Sequence, residues 1–373
     1  MLPVQQPTSW ARFAGRTATD VVECVDLERA PERLEHDGPW FVVVDFEAFG
    51  RGGRARAWRF AEVRDDGPDV GAAVPMRPGA SDVGWTGPDA SSWHSSMDRA
   101  AYEAAVARVR DHVREGTVYQ ANVCRMLSAP LRVDDGEPDA AALAERLATG
   151  NPAPYAAAVH VPVASGVDPV WVVSASPELY LSLEAGMLGS GPIKGTARTP
   201  AGLTGKDRAE NVMITDLVRN DLQRVCVPGT VAVTDLLGVE EHPGLVHLVS
   251  RVQGTLAGTV RAAPDRWRRM LGSTFPPGSV SGAPKSSALR IIDELEPVPR
   301  GPYCGAVGWV DGDRAELAVG IRTFWWSDGV LRFGTGAGIT WGSDPQAEWR
   351  ETELKAARLV GLASGTASGP PRP

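Results

Sequence analysis

Lys194, in the run Gly191-Pro192-Ile193-Lys194-Gly195-Thr196, is a lone amine between a proline-fixed strand end and a glycine. An ammonium loses hydration on burial, so lysine is rarely buried without a partner or a role. A partly desolvated amine has a lowered pKa and serves as a nucleophile or base near neutral pH. The plainer alternative is a strand-end lysine whose tip reaches water. Asp207 and Glu210 lie three apart on an expected helix, as do Glu348 and Glu351 on another. Residues at that spacing share a helix face, so each pair points two carboxylates one way. Two such faces brought together would suit a hard divalent cation such as Mg²⁺. Acidic residues in a first turn can equally complement the helix dipole and face water.

Other segments suggest anion binding. Ser279-Val280-Ser281-Gly282-Ala283-Pro284 opens an expected helix, with Pro284 suited to its first turn and N–H groups near Gly282 and Ala283 available to a carboxylate or phosphate. Arg322 ends an expected strand, and Lys355 lies one turn beyond Glu351. Gly334-Thr335-Gly336-Ala337-Gly338 reads as a glycine-rich turn that lets a backbone come close, without the spacing of a dinucleotide site. Gln120 and Asn122 share one face of a strand over 117–127, where two amides are expected to face solvent.

The elements that must carry these groups follow from periodicity and punctuation. Strands are expected over 40–46, 58–63, 156–161, 169–174, 179–183, 230–237, 305–310, 315–324 and 330–335. Tyr102, Val106, Val109 and Val113 fall at helical spacing before Gly116, and further helices are expected over 207–220, 265–272, 284–294 and 345–362. Residues 1–38 show no strong periodicity, 67–92 read as a linker or long loop, and the tail 363–373 as disordered.

With 373 residues, 43% of them hydrophobic, the chain can bury one large core or two ordinary ones. Its 38 basic and 46 acidic side chains give a net charge of -8, which argues against nucleic acid or an anionic membrane as partner. The four cysteines lack metal-site spacing and read as reduced thiols, and no long apolar run or signal pattern is present, so a soluble cytoplasmic protein is expected.

Taken in order, several motifs resemble the chorismate-utilising enzymes. They are Ser176-Pro177-Glu178, Pro192-Ile193-Lys194-Gly195-Thr196, Asp207-Arg208-Ala209-Glu210-Asn211 and Asp216-Leu217-Val218-Arg219-Asn220-Asp221-Leu222. Val246-His247-Leu248-Val249-Ser250, Ser281-Gly282-Ala283-Pro284-Lys285, Ile291 to Pro297, Gly301-Pro302-Tyr303 and the helix over 348–355 complete the set, which spans 102–362. The resemblance implies an α/β (α+β) fold: a single large domain of two packed, mostly antiparallel sheets flanked by helices, with the site in a cleft. Residues 1–97 would complete the sheets and 98–362 would form the catalytic core.

The resemblance also implies roles. Glu210 and Glu351 would bind Mg²⁺, with Glu348 and Asp207 behind them, and the ion would hold the ring carboxylate of chorismate with Lys355 and the backbone near Gly282 and Ala283. Tyr303, Arg322, Gly336 and Gly338 would hold the enolpyruvyl carboxylate. Glu178 would be the acid near the C4 hydroxyl, with His247 close to the ring and Thr196 a hydroxyl contact. Isochorismate and salicylate synthases carry a water-activating lysine at the position of Gln120, and anthranilate synthases usually have alanine at that of Lys194. Lys194 therefore resembles the aminodeoxychorismate synthase branch, in which a lysine adds to C2 as the C4 hydroxyl departs and ammonia then displaces it from C4. Anthranilate synthesis is the alternative within the family, and a catalytically dead scaffold the alternative outside it. These 373 residues contain no Gly-x-Cys-x-Gly nucleophile elbow, so ammonia is expected from a glutamine amidotransferase subunit in trans. A Leu-Leu-Glu-Ser-type motif is also missing, so tryptophan inhibition is not expected, and Ala197-Arg198-Thr199-Pro200 departs from the commoner Arg-Pro-Arg stretch.

Overall fold

The computed structural model describes residues 9–36, 38–65, 84–134, 136–242 and 245–365. Most of the expected linker and nearly all of the expected tail lie outside them. Strands β1 (Trp10–Phe13), β2 (Arg16–Asp26), β3 (Trp40–Val44), β4 (Ala55–Asp65) and β5 (His94–Ser95) precede helix α1 (Arg99–Arg114). Next come β6 (Gln120–Pro130), α2 (Ala140–Gly150), β7 (Tyr155–Val161), β8 (Val170–Ser176), β9 (Leu179–Glu184), β10 (Met187–Gly191) and β11 (Ile193–Ala197). They lead to α3 (Gly205–Gln223), β12 (Ala232–His242), β13 (Leu245–Thr255), α4 (Gly258–Arg261) and α5 (Arg266–Thr274). The remainder is β14 (Gly282–Ala283), α6 (Lys285–Leu295), β15 (Ala306–Asp311), β16 (Arg314–Val319), β17 (Thr323–Ser327), β18 (Val330–Ile339) and α7 (Pro345–Ala363).

Antiparallel pairing links the strands into one network with two limbs. One limb runs β6–β18–β17–β8–β7–β1. The other runs β2–β4–β3–β15–β16–β9–β10–β13–β12, and the β1–β2 hairpin joins the two. The expected pair of sheets is thus a single ribbon folded on itself. Alternation along each strand decides which side is buried against what. Phe41, Val43, Trp58, Phe60 and Val307 of the second limb meet Phe13, Val159 and Val172 of the first. The opposite face of β3, Trp40, Val42 and Val44, belongs to a core shared with Ile214 and Leu222 of α3 and Trp267 and Leu271 of α5. On the first limb, Leu143 and Leu147 of α2 and Leu359 of α7 cover Trp171, Val173, Phe324 and Phe333.

Some elements were not read from the sequence, and two expectations are corrected. Residues 1–38 carry β1 and β2, hard to read because the inner half of β2 alternates in burial and its outer half does not. Helix α2 was not expected; its signal is Asp139, whose Oδ1 accepts from the N–H groups of Ala141 and Ala142 as an N-cap. The expected strand over 315–324 is two strands, split where Arg322 takes a positive φ of 54°. Gly334 to Gly338 is no turn: it lies inside β18, paired with Met126 to Asn122 of β6.

Candidate active site

A cleft of about 620 Å³ opens where β11 and β18 end between α3 and α7, within the size of small-molecule sites. Lys194, Glu178, His247, Thr196, Tyr303, Arg322, Gly336, Gly338, Lys355, Glu210, Glu351, Glu348 and Asp207 all line it. Gly282 and Ala283 do not. Their backbone is spent on β14, where Gly282 opposes Ala121 and Ala283 opposes Gln120, and the helix begins only at Lys285. From the expected anion-binding run, Ser279 and Val280 reach the cleft instead.

Backbone geometry places the amine. β10 and β11 pair successive stretches of β13 on either side of Gly191-Pro192, so Lys194 follows the break directly. Gly195 has φ 90°, and a Cβ there would lie 2.7 Å from the Cβ of Asp207, so only glycine lets β11 approach the start of α3. Thr196 opposes His247 in register, and its Oγ1 lies 2.8 Å from the buried His247 Nδ1. Lys194 is half-buried, but its Nζ lies among protein atoms, 3.6 Å from where a Cβ on Gly338 would stand. Desolvation lowers its pKa, and the positive charge of Lys355 pushes the same way, against Glu178, Glu210 and Glu351. The amine therefore faces the cleft and not bulk water.

Glu178 follows β8 and is 4% exposed. Burial raises its pKa, opposed by a hydrogen bond from Ser279 and the charges of Lys194 and Arg322. That is the state a proton donor needs. Arg322 sits at the β16–β17 break, where its carbonyl accepts from Ala175 N–H at 3.0 Å and its positive φ turns the chain. A non-glycine residue held in that region marks imposed geometry. Desolvation lowers the guanidinium's pKa, leaving a cation with little hydration to lose on meeting a carboxylate. Gly334, Gly336 and Gly338 share one face of β18; a Cβ on Gly334 would fall 2.1 Å from the Tyr303 ring. Gly334 is what seats that ring, while Gly336 makes room for Cys124 and Gly338 for the Gln120 amide.

The acidic helices converge around a cation. Lys206 Nζ stands 3.6 Å from both Glu210 and Glu348, and Lys355 pairs with Glu351 at 2.6 Å. Glu210 Oε1 is buried without a hydrogen bond, and burial raises that carboxyl's pKa. At Glu351 burial acts the same way but is outweighed by Lys355, Lys206 and Lys194, so its pKa is lowered. Asp207 differs: its Oδ2 accepts from Thr204 N–H and Oγ1 in a capping box that starts α3, so it serves the helix first. Among the described residues no three acidic, His or Cys side chains form a ready-made metal cage. The donor set is nonetheless hard oxygen, with one buried oxygen unbonded and a half-exposed Lys206 able to swing aside. Those residues fit Mg²⁺.

Several lining residues were not singled out from sequence. Lys206 and Arg358 could have been found by helical spacing from Glu210 and Lys355. Asn122 is 5% exposed and lines the cleft, and Gln120 is 1% exposed with both amide atoms unbonded, so the expectation that this face meets solvent fails. The reason is that this face of β6 runs into the main core at Cys124 and Met126 and lies against β18, where a Cβ on Gly338 would stand 2.6 Å from the Gln120 amide; α1 and α6 cover the opposite face, with Ala121 and Val123.

Residues 78–361 match the family model described as chorismate binding enzyme. Over 282 residues, 72% of this chain, it is 36% identical to anthranilate synthase component 1 of Saccharolobus solfataricus. It is 35% identical to aminodeoxychorismate synthase component 1 of Salmonella typhimurium over 284 residues, again 72% of the chain. These matches span 63% and 59% of the relatives, so the chain corresponds to less than two thirds of their length. Among solved structures, the isochorismate synthase DhbC of Bacillus anthracis superposes with TM-score 0.75 at 22% identity, covering 96% of this chain and 97% of that one. Anthranilate synthase component I of Streptococcus pneumoniae gives 0.72 at 23%, covering 95% and 90%. With its motifs gathered on one cleft and its family model matched over most of the sequence, this chain belongs to the chorismate-binding enzymes.

Proposed function

We propose that this chain aminates chorismate at C4, giving 4-amino-4-deoxychorismate, with ammonia supplied by a separate glutamine amidotransferase subunit in the cytoplasm. The observation that carries the reading is the Lys194 amine, desolvated and facing the cleft between Glu178 and the acidic ends of α3 and α7. Lys194 Nζ forms a bond to C2 of the ring while the C4 hydroxyl leaves as water with the proton of Glu178; the proton shed by the amine passes to solvent, and Glu178 is left as a carboxylate. Ammonia then bonds to C4, the C2–Nζ bond breaks, and the proton from ammonia returns to Lys194. Two allylic displacements replace one difficult substitution. Arg322 and Tyr303 would bind the enolpyruvyl carboxylate, and the Thr196–His247 pair would orient the ring. Glu210, Glu348 and Glu351 would hold Mg²⁺, whose contribution is to neutralise the ring carboxylate.

Anthranilate synthesis is the second reading, favoured by the relatives of that name. Chorismate, Mg²⁺ and ammonium are incubated with the wild type and with Lys194→Ala, and products are identified by mass spectrometry. The account expects 4-amino-4-deoxychorismate from the wild type and its loss in the variant. Fluorescent anthranilate with free pyruvate would refute it.

A further inference from the structure

Behind Glu178 lies a second, much smaller pocket of about 20 Å³, room for a single water-sized molecule. It is separate from the cleft, but the two spaces share Glu178 and Ser279 as a common wall. Its other walls come from β9, β10, α3 and the end of α5, with Ser190, Asp221 and Thr274 as polar members and Leu179, Val218 and Leu222 as apolar ones. The polar groups are held in place. Tyr180 and Thr274 bond hydroxyl to hydroxyl at 2.6 Å, and Lys285 ties Asp221 to the Thr274 carbonyl at 2.7 Å each. A fixed hydrogen-bonding space of one molecule's volume, walled by the acid of the reaction, has a narrow range of occupants.

We propose that this pocket is an ammonia site: it holds one neutral, water-sized hydrogen-bonding molecule on the side of Glu178 away from the substrate and feeds it to C4. The inference rests on the amination reading above. Its chemistry matches the place. Once Glu178 has protonated the departing hydroxyl, the carboxylate faces the pocket and can take a proton from an arriving ammonium, which leaves neutral ammonia and a restored acid. Water can fill the same volume, and only a nucleophile series tells the two apart.

Gly278 provides the means to close the pocket. A Cβ there would meet Leu217 Cβ at 3.5 Å, Asp221 Oδ2 at 3.8 Å and Val218 Cγ2 at 4.0 Å, ordinary contacts that need no backbone shift. A methyl group is about the size of the water-sized molecule it would exclude. Gly278→Ala should raise the KM for ammonium about tenfold while the KM for chorismate stays within about twofold, because only the small-molecule space is filled. Val218→Ala enlarges the same space and should let methylamine act as nucleophile, giving an N-methylated product that the wild type does not form. An unchanged ammonium KM in Gly278→Ala, or equal rises in both KM values, overturns the proposal. If that variant does not fold, the methylamine product of Val218→Ala decides alone, and its absence overturns the proposal. The identity of the wild-type product tests the amination reading separately, since an ammonium-dependent anthranilate product would refute that reading and leave the KM comparison standing.

Discussion

Gly334→Ala tests how the cleft is shaped by residues that are not there. A Cβ at this position would stand 2.1, 2.2 and 2.6 Å from Cγ, Cδ1 and Cδ2 of Tyr303. Carbon atoms in contact settle at about 3.5–4.0 Å, so the ring or the strand must give by about 1.5 Å. β18 is held along its length by β6, and Tyr303 is buried, so the ring is the part that moves. Overpacking of this kind costs about 1–3 kcal/mol of stability, seen as a melting temperature a few degrees lower. The functional cost sits near the top of that range, because a displacement of about 1 Å in a positioning group costs about 100-fold, about 2.7 kcal/mol. Steady-state kinetics should therefore show kcat/KM for chorismate falling about 100-fold in a protein whose circular dichroism is unchanged. Gly342→Ala is the control: a Cβ there has nothing within 4 Å and activity should be retained. If Gly334→Ala keeps wild-type stability and kcat/KM, the ring is not seated against β18 or does not position the substrate.

Two further outcomes follow from the electrostatics. Burial raises the Glu178 pKa, so the acid form persists to higher pH than in an exposed carboxyl and activity should fall as pH rises through that value; Lys194, lowered by desolvation and Lys355, should lose nucleophilicity as pH falls through its own. Glu178→Gln should cut kcat by about 10²–10⁴-fold and abolish the alkaline limb of the kcat–pH profile, and survival of that limb would exclude Glu178 as the acid. Lys206→Met removes the ammonium shared by Glu210 and Glu348; since Lys206 is half-exposed, the gain is about 1 kcal/mol, or roughly fivefold tighter Mg²⁺ binding by calorimetry. Weaker binding would show that Lys206 supports the metal site instead of competing for it.

Much of the cleft was legible because its residues lie in compact, strongly typed runs. Residues of the Lys194 run, of both acidic helices and of the Pro177-Glu178 corner line one cleft. Positions that depend on long-range pairing were not legible. Gly282 and Ala283 look like a helix entry until β6 is known to pair with them, and Gln120 and Asn122 look solvent-facing until β18 and the main core are known to lie against their face. Gly334 to Gly338 suggests a turn by composition, and only distant neighbours explain why glycine is needed in a strand: the Tyr303 ring, 31 residues upstream, at Gly334, Cys124 at Gly336 and Gln120 at Gly338. Asp207 carries the helix cap, which the spacing of its pair with Glu210 could not distinguish from metal binding.

The decisive measurement is the mass of the peptide that contains Lys194 after the wild type meets chorismate and Mg²⁺ with no ammonia present. With the second nucleophile withheld, the reaction should stop at the amine adduct, and the peptide should gain the mass of chorismate less one water. Addition of ammonium before quenching should discharge it. An unmodified Lys194 in a preparation that is fully active once ammonium is supplied would contradict the covalent role of this amine.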